Sequence, residues 1–307
     1  MEYLKLANGV EIPKIGYGVF QVGKEDAPRC VREAIETGYR HIDTAQSYFN
    51  EAEVGQGIKD SGIDRKNLFL TTKVWISNYG YENTLESIDV SLKKLGTDYL
   101  DLVLLHQPFS DTYGAWRALE KLYKDGVIRA IGVSNFYPDR LADMVAFNEI
   151  APMVNQVETN PLNQQIEAHK NMLKRGVAHE AWAPFGEGMQ NMFSNPTLAK
   201  IGEAHGKSVA QVILRWLIQR DIIALPKSTH KERMEENLNI FDFCLTDDRN
   251  EDHRGTRHPR PACSSITTPP EAVDRFVGYV QSACGPRVNR VSMLRKQGIR
   301  VNRNPCH

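Results

Sequence analysis

Four side chains of reactive types fall at or just beyond the ends of strand-like runs in the sequence. Asp43 and His106 each end such a run. Lys73 lies near the end of a third run, and Tyr48 follows Asp43 in a polar stretch. A buried carboxylate is costly unless it is paired, and the ammonium of Lys73 would pair with Asp43. The pattern therefore predicts a site in which the paired Asp43 and Lys73 lie beside the phenol of Tyr48.

These residue types indicate proton donation to a carbonyl group that is gaining a hydride. The ordinary pKa of tyrosine is near 10, so it is a slow acid at pH 7. We expect Lys73 to lower the pKa of Tyr48 by about three units, because a cation about 4 Å away supplies roughly 4 kcal/mol at an effective dielectric constant near 20. His106 would donate a hydrogen bond that orients the carbonyl oxygen.

The elements that must position these residues alternate along the chain. After a hairpin signal at Asn8-Gly9, helical patterns separate eight strand-like runs, and about 240 residues for eight units is the size of a (β/α)8 barrel. A doubly wound dinucleotide-binding sheet is the alternative, but "GYGVFQ" has Gln21 in place of the last glycine of its fingerprint. We predict a TIM barrel closed at the bottom by an N-terminal β-hairpin. The predicted strands are 15–19, 40–45, 68–74, 99–106, 128–135, 153–160, 177–185 and 222–228.

A metal site is a second interpretation of the same strand ends. His41 and Asp43 share a face of one strand, and His106 is a possible third ligand. Lys73 would repel a cation there, however, and Tyr48 would have no role. We therefore predict no metal. The carboxylates of two further acids on the strands, Glu158 and Glu180, are expected to support structure and are assigned no chemistry.

The composition sets the class of protein. The chain has 307 residues, of which 41% are hydrophobic and 25% charged, as in ordinary globular proteins. Lys+Arg and Asp+Glu both number 38, so the formal net charge is zero, and neither a nucleic-acid nor a membrane partner is expected. No apolar run approaches the roughly 18 residues of a membrane span. The N-terminus lacks the pattern of a signal peptide, so a cytoplasmic protein is predicted.

Three stretches resemble signatures of the aldo-keto reductase family, and within it the bacterial branch similar to 2,5-diketogluconate and glyoxal reductases. The resemblance covers about residues 1–248, which are expected to form one barrel domain. The signatures are Gly38–Ala45 with Glu51 and Val54-Gly55, "AIGVSNF" at 130–136, and "LPKSTHKERMEENLNI" at 225–240.

The resemblance implies NADPH-dependent reduction of aldehydes and ketones, with Asp43, Tyr48, Lys73 and His106 as a catalytic tetrad and Tyr48 as the general acid. It also implies that NADPH (or NADP+) lies across the barrel mouth without a Rossmann motif. Expected cofactor contacts are Ser134, Asn135 and Gln156 at the nicotinamide carboxamide, Trp182 on the nicotinamide ring, and Lys227, Ser228, Thr229, Arg233 and Asn237 at the adenosine end.

Two of these residues support that assignment on physical grounds. Lys227 and Arg233 would stand beside a helix N-terminus, and two cations there form an anion site that suits the 2′-phosphate of NADPH. The alternative is a solvated basic cluster. A cofactor-binding sensor or scaffold with the same barrel and little turnover is the alternative function.

The substrate pocket is expected to take a small carbonyl compound. Many family members have tryptophan at the positions of Phe20 and Gln107, so this pocket should be more open and more polar. The family's usual state implies a monomer. The expected pocket residues are Phe20, Ser47, Trp75 and Gln107.

The last part of the chain, 249–307, departs from the family. Residues 249–268 are rich in Arg, His and Pro, and have no helical period, whereas 269–280 again resemble the family. Either a reading-frame change near residue 249 that is later restored, or a genuinely divergent tail, explains this pattern. We expect the tail to be largely disordered, because it offers little apolar surface to bury.

Overall fold

Eight parallel strands form the wall of a barrel in the computed structural model, which describes residues 1–188 and 191–245. The divergent tail predicted from residue 249 onward lies outside these residues. The strands are β1 (Tyr3–Lys5), β2 (Glu11–Pro13), β3 (Tyr17–Gly18), β4 (His41–Asp43), β5 (Phe69–Val74), β6 (Leu102–Leu105), β7 (Ile131–Ser134), β8 (Val154–Glu158), β9 (Ala178–Trp182) and β10 (Ile223–Ala224). The helices are α1 (Ala27–Thr37), α2 (Glu51–Asp60), α3 (Tyr81–Leu95), α4 (Thr112–Lys124), α5 (Pro138–Ala146), α6 (Ile166–Lys174), α7 (Pro196–His205), α8 (Val209–Gln219) and α9 (Lys231–Leu238).

The sheet is closed by its first and last strands. Strands β3 to β10 are neighbours in chain order, and each pair is parallel. Ile15 forms a parallel bridge with Ala224, and the backbone N–H of Gly16 donates to the carbonyl oxygen of Ala224 at 2.9 Å. The N–H of Gly18 donates to the carbonyl oxygen of Pro226 at 3.0 Å. The predicted (β/α)8 barrel is therefore confirmed.

The observed strands are shorter than the predicted ones, at both ends for every strand except β5, which ends at Val74 as predicted. The run 222–228 retains only β10, because Pro226 has no N–H to continue the ladder. Lys227 and Ser228 consequently follow the strand in a loop and do not end it. This loop leads to α9, whose first turn contains Arg233.

The predicted hairpin is present under the barrel. Strands β1 and β2 pair antiparallel, with Tyr3 opposite Pro13. Gly9 has φ of 88°, a left-handed conformation that glycine adopts without steric cost. The side-chain amide of Asn8 donates to the carbonyl oxygen of Arg129 at 2.9 Å, just before β7 begins. The hairpin therefore lies at the amino-terminal end of the strands, opposite the predicted site.

Close packing explains two glycines of the family-like signatures. A Cβ at Gly132 on β7 would lie 2.6 Å from the carbonyl oxygen of Val154 on β8. A Cβ at Gly55 on α2 would lie 2.6 Å from the carbonyl oxygen of Lys94 on α3. Any side chain at either position would push neighbouring elements apart. Among the described helices, none is long and apolar enough to cross a membrane.

Candidate active site

The ammonium of Lys73 is the centre of the site. Lys73 lies on β5 and is completely buried. Its Nζ donates to Oδ1 of Asp43 at 2.6 Å, to the carbonyl oxygen of Thr44 at 3.0 Å and to the hydroxyl of Tyr48 at 3.1 Å. An ammonium has three hydrogens, so each has one acceptor, and the phenol shares a fully paired cation with the carboxylate.

A short turn brings Tyr48 back over the end of β4. The 3-10 turn Gln46–Tyr48 begins three residues after Asp43. Gln46 holds this turn to the next loop, because its Oε1 accepts from the backbone N–H of Trp75 at 2.9 Å and from Nδ2 of Asn78 at 2.8 Å. The turn and the loop after β5 are therefore fixed to each other, which places the phenol over Lys73.

His106 lies against the same phenol. It follows β6 and is 8% exposed. Its ring contacts Tyr48 edge-to-face with centroids 5.8 Å apart, and Trp75 likewise at 5.1 Å. Nδ1 of His106 is 3.2 Å from Oγ of Ser47. Burial, with the charge of Lys73, holds the pKa of His106 well below its usual range, so the imidazole is neutral at pH 7.

The pKa of Tyr48 departs from the expected direction. Burial raises the pKa of this phenol above its ordinary value; Lys73 acts in the opposite direction, and Asp43 raises the pKa further. The expected net lowering is wrong for this structure, because the cost of burying a phenolate exceeds the attraction of the lysine. Burial also acts to lower the pKa of Lys73, but Asp43 and Tyr48 together outweigh it and the net shift is upward. Tyr48 therefore keeps its proton at neutral pH.

A second buried acid lies beside the cluster. The amide nitrogen of Gln156 on β8 donates to Oδ2 of Asp43 at 3.0 Å and to Oε2 of Glu180 at 2.8 Å. Burial and the charge of Asp43 raise the pKa of Glu180 to about 8. His41, 3.8 Å from Glu180, has its pKa lowered by burial to about 3. The sequence interpretation gave Glu180 no chemistry, although an acid amid the apolar residues of β9 was a signal of a buried polar partner.

The four residues expected at the nicotinamide end lie together. Oγ of Ser134 donates to the carbonyl oxygen of Gln156 at 2.9 Å. Nδ2 of Asn135 donates to the carbonyl oxygen of His106 at 3.1 Å, and its Oδ1 accepts from Nε1 of Trp182 at 3.0 Å. Asn135 also has φ of 63°, an uncommon backbone conformation that is frequent at functional sites. The ends of β7, β8 and β9 therefore meet beside His106.

The residues expected at the adenosine end line a cavity of about 550 Å³. Lys227, Ser228, Thr229, Arg233 and Asn237 all contribute to its wall. Within residues 1–188 and 191–245, neither Lys227 nor Arg233 forms a side-chain hydrogen bond or ion pair. Two unpaired cations beside the start of α9 make this cavity suitable for an anion.

The sequence interpretation missed part of this wall. Phe185 and Phe193 line the cavity with ring centroids 5.4 Å apart, and Glu236 lines it from α9. Glu236 lies three residues after Arg233, so helical spacing alone places both on one face. The two phenylalanines come from the segment after β9, whose path the sequence pattern does not define.

The expected pocket residues surround the phenol and the imidazole, with one difference. The ring of Phe20 is 45% exposed and lies 5.0 Å from that of Tyr48. Ser47 and Trp75 contact His106, as described above. Gln107 is 4% exposed, and its backbone N–H and carbonyl oxygen both bond to the hydroxyl of Tyr79. Phe20 therefore forms an exposed apolar wall beside the phenol, whereas Gln107 is nearly buried.

The arrangement does not resemble a metal centre. In the described part of the chain, no group of three or more His, Cys, Asp or Glu side chains is placed to hold a metal ion. The carboxylate of Asp43 instead holds Lys73 at 2.6 Å.

A (β/α)8 barrel with this cluster and an anion cavity at its strand ends has the architecture of a carbonyl-reducing oxidoreductase. The profile of the Aldo/keto reductase family matches residues 14–255. The chain belongs to this family, and the predicted resemblance and enzyme class are confirmed.

Individual relatives agree with this assignment. The chain is 51% identical over 245 residues to a glyoxal reductase of Bacillus subtilis (79% of this chain and 88% of the relative). It is 44% identical over 258 residues to a morphine 6-dehydrogenase of Pseudomonas putida (80% and 87%). A solved aldo-keto reductase of Bombyx mori in complex with NADP matches with a TM-score of 0.77 and 35% identity, covering 80% of this chain and 89% of that one.

Proposed function

We propose that the chain reduces aldehydes and ketones to alcohols with NADPH, and that Tyr48 is the general acid. The observation that carries the proposal is the ammonium of Lys73, which joins the carboxylate of Asp43 to the hydroxyl of Tyr48 beside the imidazole of His106. When bound, NADPH supplies the hydride that adds to the carbonyl carbon.

The residues of the cluster handle the proton. As the carbonyl oxygen gains negative charge, the O–H bond of Tyr48 breaks and the proton forms the hydroxyl of the product. An alkoxide is far more basic than a phenolate, so this transfer is favourable even though the pKa of Tyr48 is raised. Lys73, 3.1 Å away, stabilises the phenolate until solvent returns a proton. In sum, carbonyl, NADPH and one proton become alcohol and NADP+.

The cavity at the start of α9 fits the adenosine end of the cofactor. Lys227 and Arg233 are cations without partners in the described ranges, and the 2′-phosphate of NADPH is a dianion. Ser134, Asn135 and Gln156 would hold the carboxamide, and Trp182 the nicotinamide ring. Since the amide nitrogen of Gln156 is engaged by two acids, its oxygen is the group left to accept from the carboxamide.

The substrate is proposed to be a small carbonyl compound with an apolar or flat substituent. Phe20 provides an aromatic wall beside Tyr48, and Trp75 provides one beside His106. Glyoxal and morphine, in the names of the two relatives above, differ greatly in size. A panel of test substrates that contains a small dicarbonyl and an aromatic aldehyde therefore covers a range of substrate sizes.

Steady-state oxidation of NADPH with methylglyoxal, glyoxal and an aromatic aldehyde tests the proposal. Turnover with at least one of them is expected. Tight NADPH binding without turnover on any would instead support the sensor or scaffold, which the assembled cluster does not favour. We further propose a monomer, to be checked by sedimentation at assay concentration. A cytoplasmic location also stays a prediction, which fractionation of producing cells would test.

A further inference from the structure

Ser47 lies one residue before Tyr48 and contacts the imidazole of His106. Its Oγ is 3.2 Å from Nδ1 of His106, across 59 residues of sequence. The same 3-10 turn therefore presents a phenol to Lys73 and a hydroxyl to the histidine. The proposed reaction uses the phenol of Tyr48 as the acid but gives the hydroxyl of Ser47 no role.

The position of the imidazole ring is already fixed by its other neighbours. The backbone N–H of His106 donates to the carbonyl oxygen of Val74 at 3.1 Å, and its carbonyl oxygen accepts from Nδ2 of Asn135 at 3.1 Å. Trp75 and Tyr48 pack edge-to-face against the ring. What these contacts leave open is which of the two ring nitrogens carries the single hydrogen of a neutral imidazole.

The half-buried hydroxyl of Ser47 favours one of the two tautomers. Within the described residues, its Oγ has no partner other than His106. If Nδ1 carried the hydrogen and donated to Oγ, the hydroxyl hydrogen would have no acceptor there. If the hydroxyl donates to Nδ1, both groups are used and the hydrogen of the ring is on Nε2. Nε2 itself bonds to none of the described residues, so an N–H at that position is available to a ligand.

We propose that Ser47 is a positioning residue that fixes His106 in its Nε2–H tautomer, so that the ring donates a hydrogen bond to the carbonyl oxygen of the substrate. The role in substrate binding rests on the proposed function, but the tautomer does not. In the other tautomer, Nε2 would present a lone pair to that oxygen and repel it.

The test uses two isosteric substitutions in the full chain. Ser47→Thr keeps the hydroxyl. Ser47→Val has the same shape as Ser47→Thr but carries a methyl group in place of the hydroxyl. Long-range proton–nitrogen NMR of the labelled protein identifies the protonated ring nitrogen, and the chain's nine histidines are resolved by comparison with His106→Gln. The wild type and Ser47→Thr should show Nε2–H. In Ser47→Val the tautomer ratio should shift about 2- to 12-fold toward Nδ1–H, the range given by loss of one neutral hydrogen bond.

Single-turnover hydride transfer should follow the tautomer. Ser47→Val should be about 2- to 12-fold slower than Ser47→Thr, with the dissociation constant of NADPH unchanged. An Nδ1–H signal in the wild type, identical ring signals in the two variants, or equal rates would each overturn the proposal. If the expected NMR result is obtained but the wild type reduces no carbonyl of the panel, the tautomer assignment stands and the proposed function is what fails.

Discussion

Removal of the charge of Lys73 should separate its catalytic role from its structural role. Lys73→Met leaves the carboxylate of Asp43 buried without its cation, since Nζ is the partner at 2.6 Å. Breaking a buried pair on one side typically costs about 3–5 kcal/mol. A large fall in thermal stability is therefore expected for the single variant, together with loss of activity.

The second substitution, Asp43→Asn, removes the unpaired charge. The double variant Lys73→Met/Asp43→Asn should recover most of the lost stability, because no uncompensated carboxylate remains at that position. It should not recover the reaction. At 3.1 Å and an effective dielectric constant of about 20, the ammonium stabilises a Tyr48 phenolate by about 5 kcal/mol. Hydride transfer should fall about 10²- to 10⁴-fold, the usual range for general acid catalysis.

The assay measures unfolding midpoint, NADPH affinity and single-turnover rate on the same samples. Lys93→Met, on the exposed face of α3, is the matched control and should change none of them. If the double variant regains both stability and rate, Lys73 serves only to neutralise Asp43, and its role toward the phenol is refuted. If neither variant loses stability, the buried pair itself is wrongly assigned.

Three further predictions concern single residues. Tyr48→Phe should slow hydride transfer about 10²- to 10⁴-fold with NADPH affinity unchanged; retention of more than a tenth of the wild-type rate would exclude it as the acid. Arg233→Ala should weaken NADPH by about 10- to 150-fold and NADH little, as expected for one charge-assisted phosphate contact; equal losses would mean that it does not bind the 2′-phosphate. The pKa of Glu180, about 8, is above that of an unfolded glutamate, so its contribution to stability is complete below about pH 4.3 and is lost as pH rises through 8. Glu180→Gln should therefore gain in melting temperature relative to wild type from pH 5 to pH 9, and a pH-independent difference would contradict the shift.

The barrel could be predicted from the sequence because its signal is repeated. Alternating strand-like and helical runs require a parallel sheet, and parallel strands bring the residues at their carboxyl ends to one rim. Asp43, Lys73 and His106 could be placed together on that argument alone. The ends of the strands could not, because in a run such as 222–228 the apolar pattern continues through Leu225, beyond the last paired residue, and only Pro226 marks where the ladder stops.

The residues that form the site were easier to predict from the sequence than their pKa shifts and hydrogen-bond pairing. A sequence shows that Lys73 is near Tyr48, but the sign of the pKa shift depends on how much water reaches the phenol, and burial proved the larger effect. The pairing of Gln156 with Glu180 depends on the register of β8 against β9, where the two residues are directly opposite. Sequence spacing contains no information on that register.

The charge of Lys73 has different effects on its two aromatic neighbours, Tyr48 and His106. The positive charge of Lys73 stabilises a phenolate, so it makes Tyr48 a better acid than burial alone would allow. Burial, reinforced by the same charge, disfavours an imidazolium and keeps His106 neutral. A charged imidazole would be a competing proton donor, whereas a neutral one donates a hydrogen bond without giving up its proton. The division between an acid and an orienting donor therefore follows from burial and the position of one ammonium together, and Asp43 is required because it keeps that ammonium charged inside the barrel.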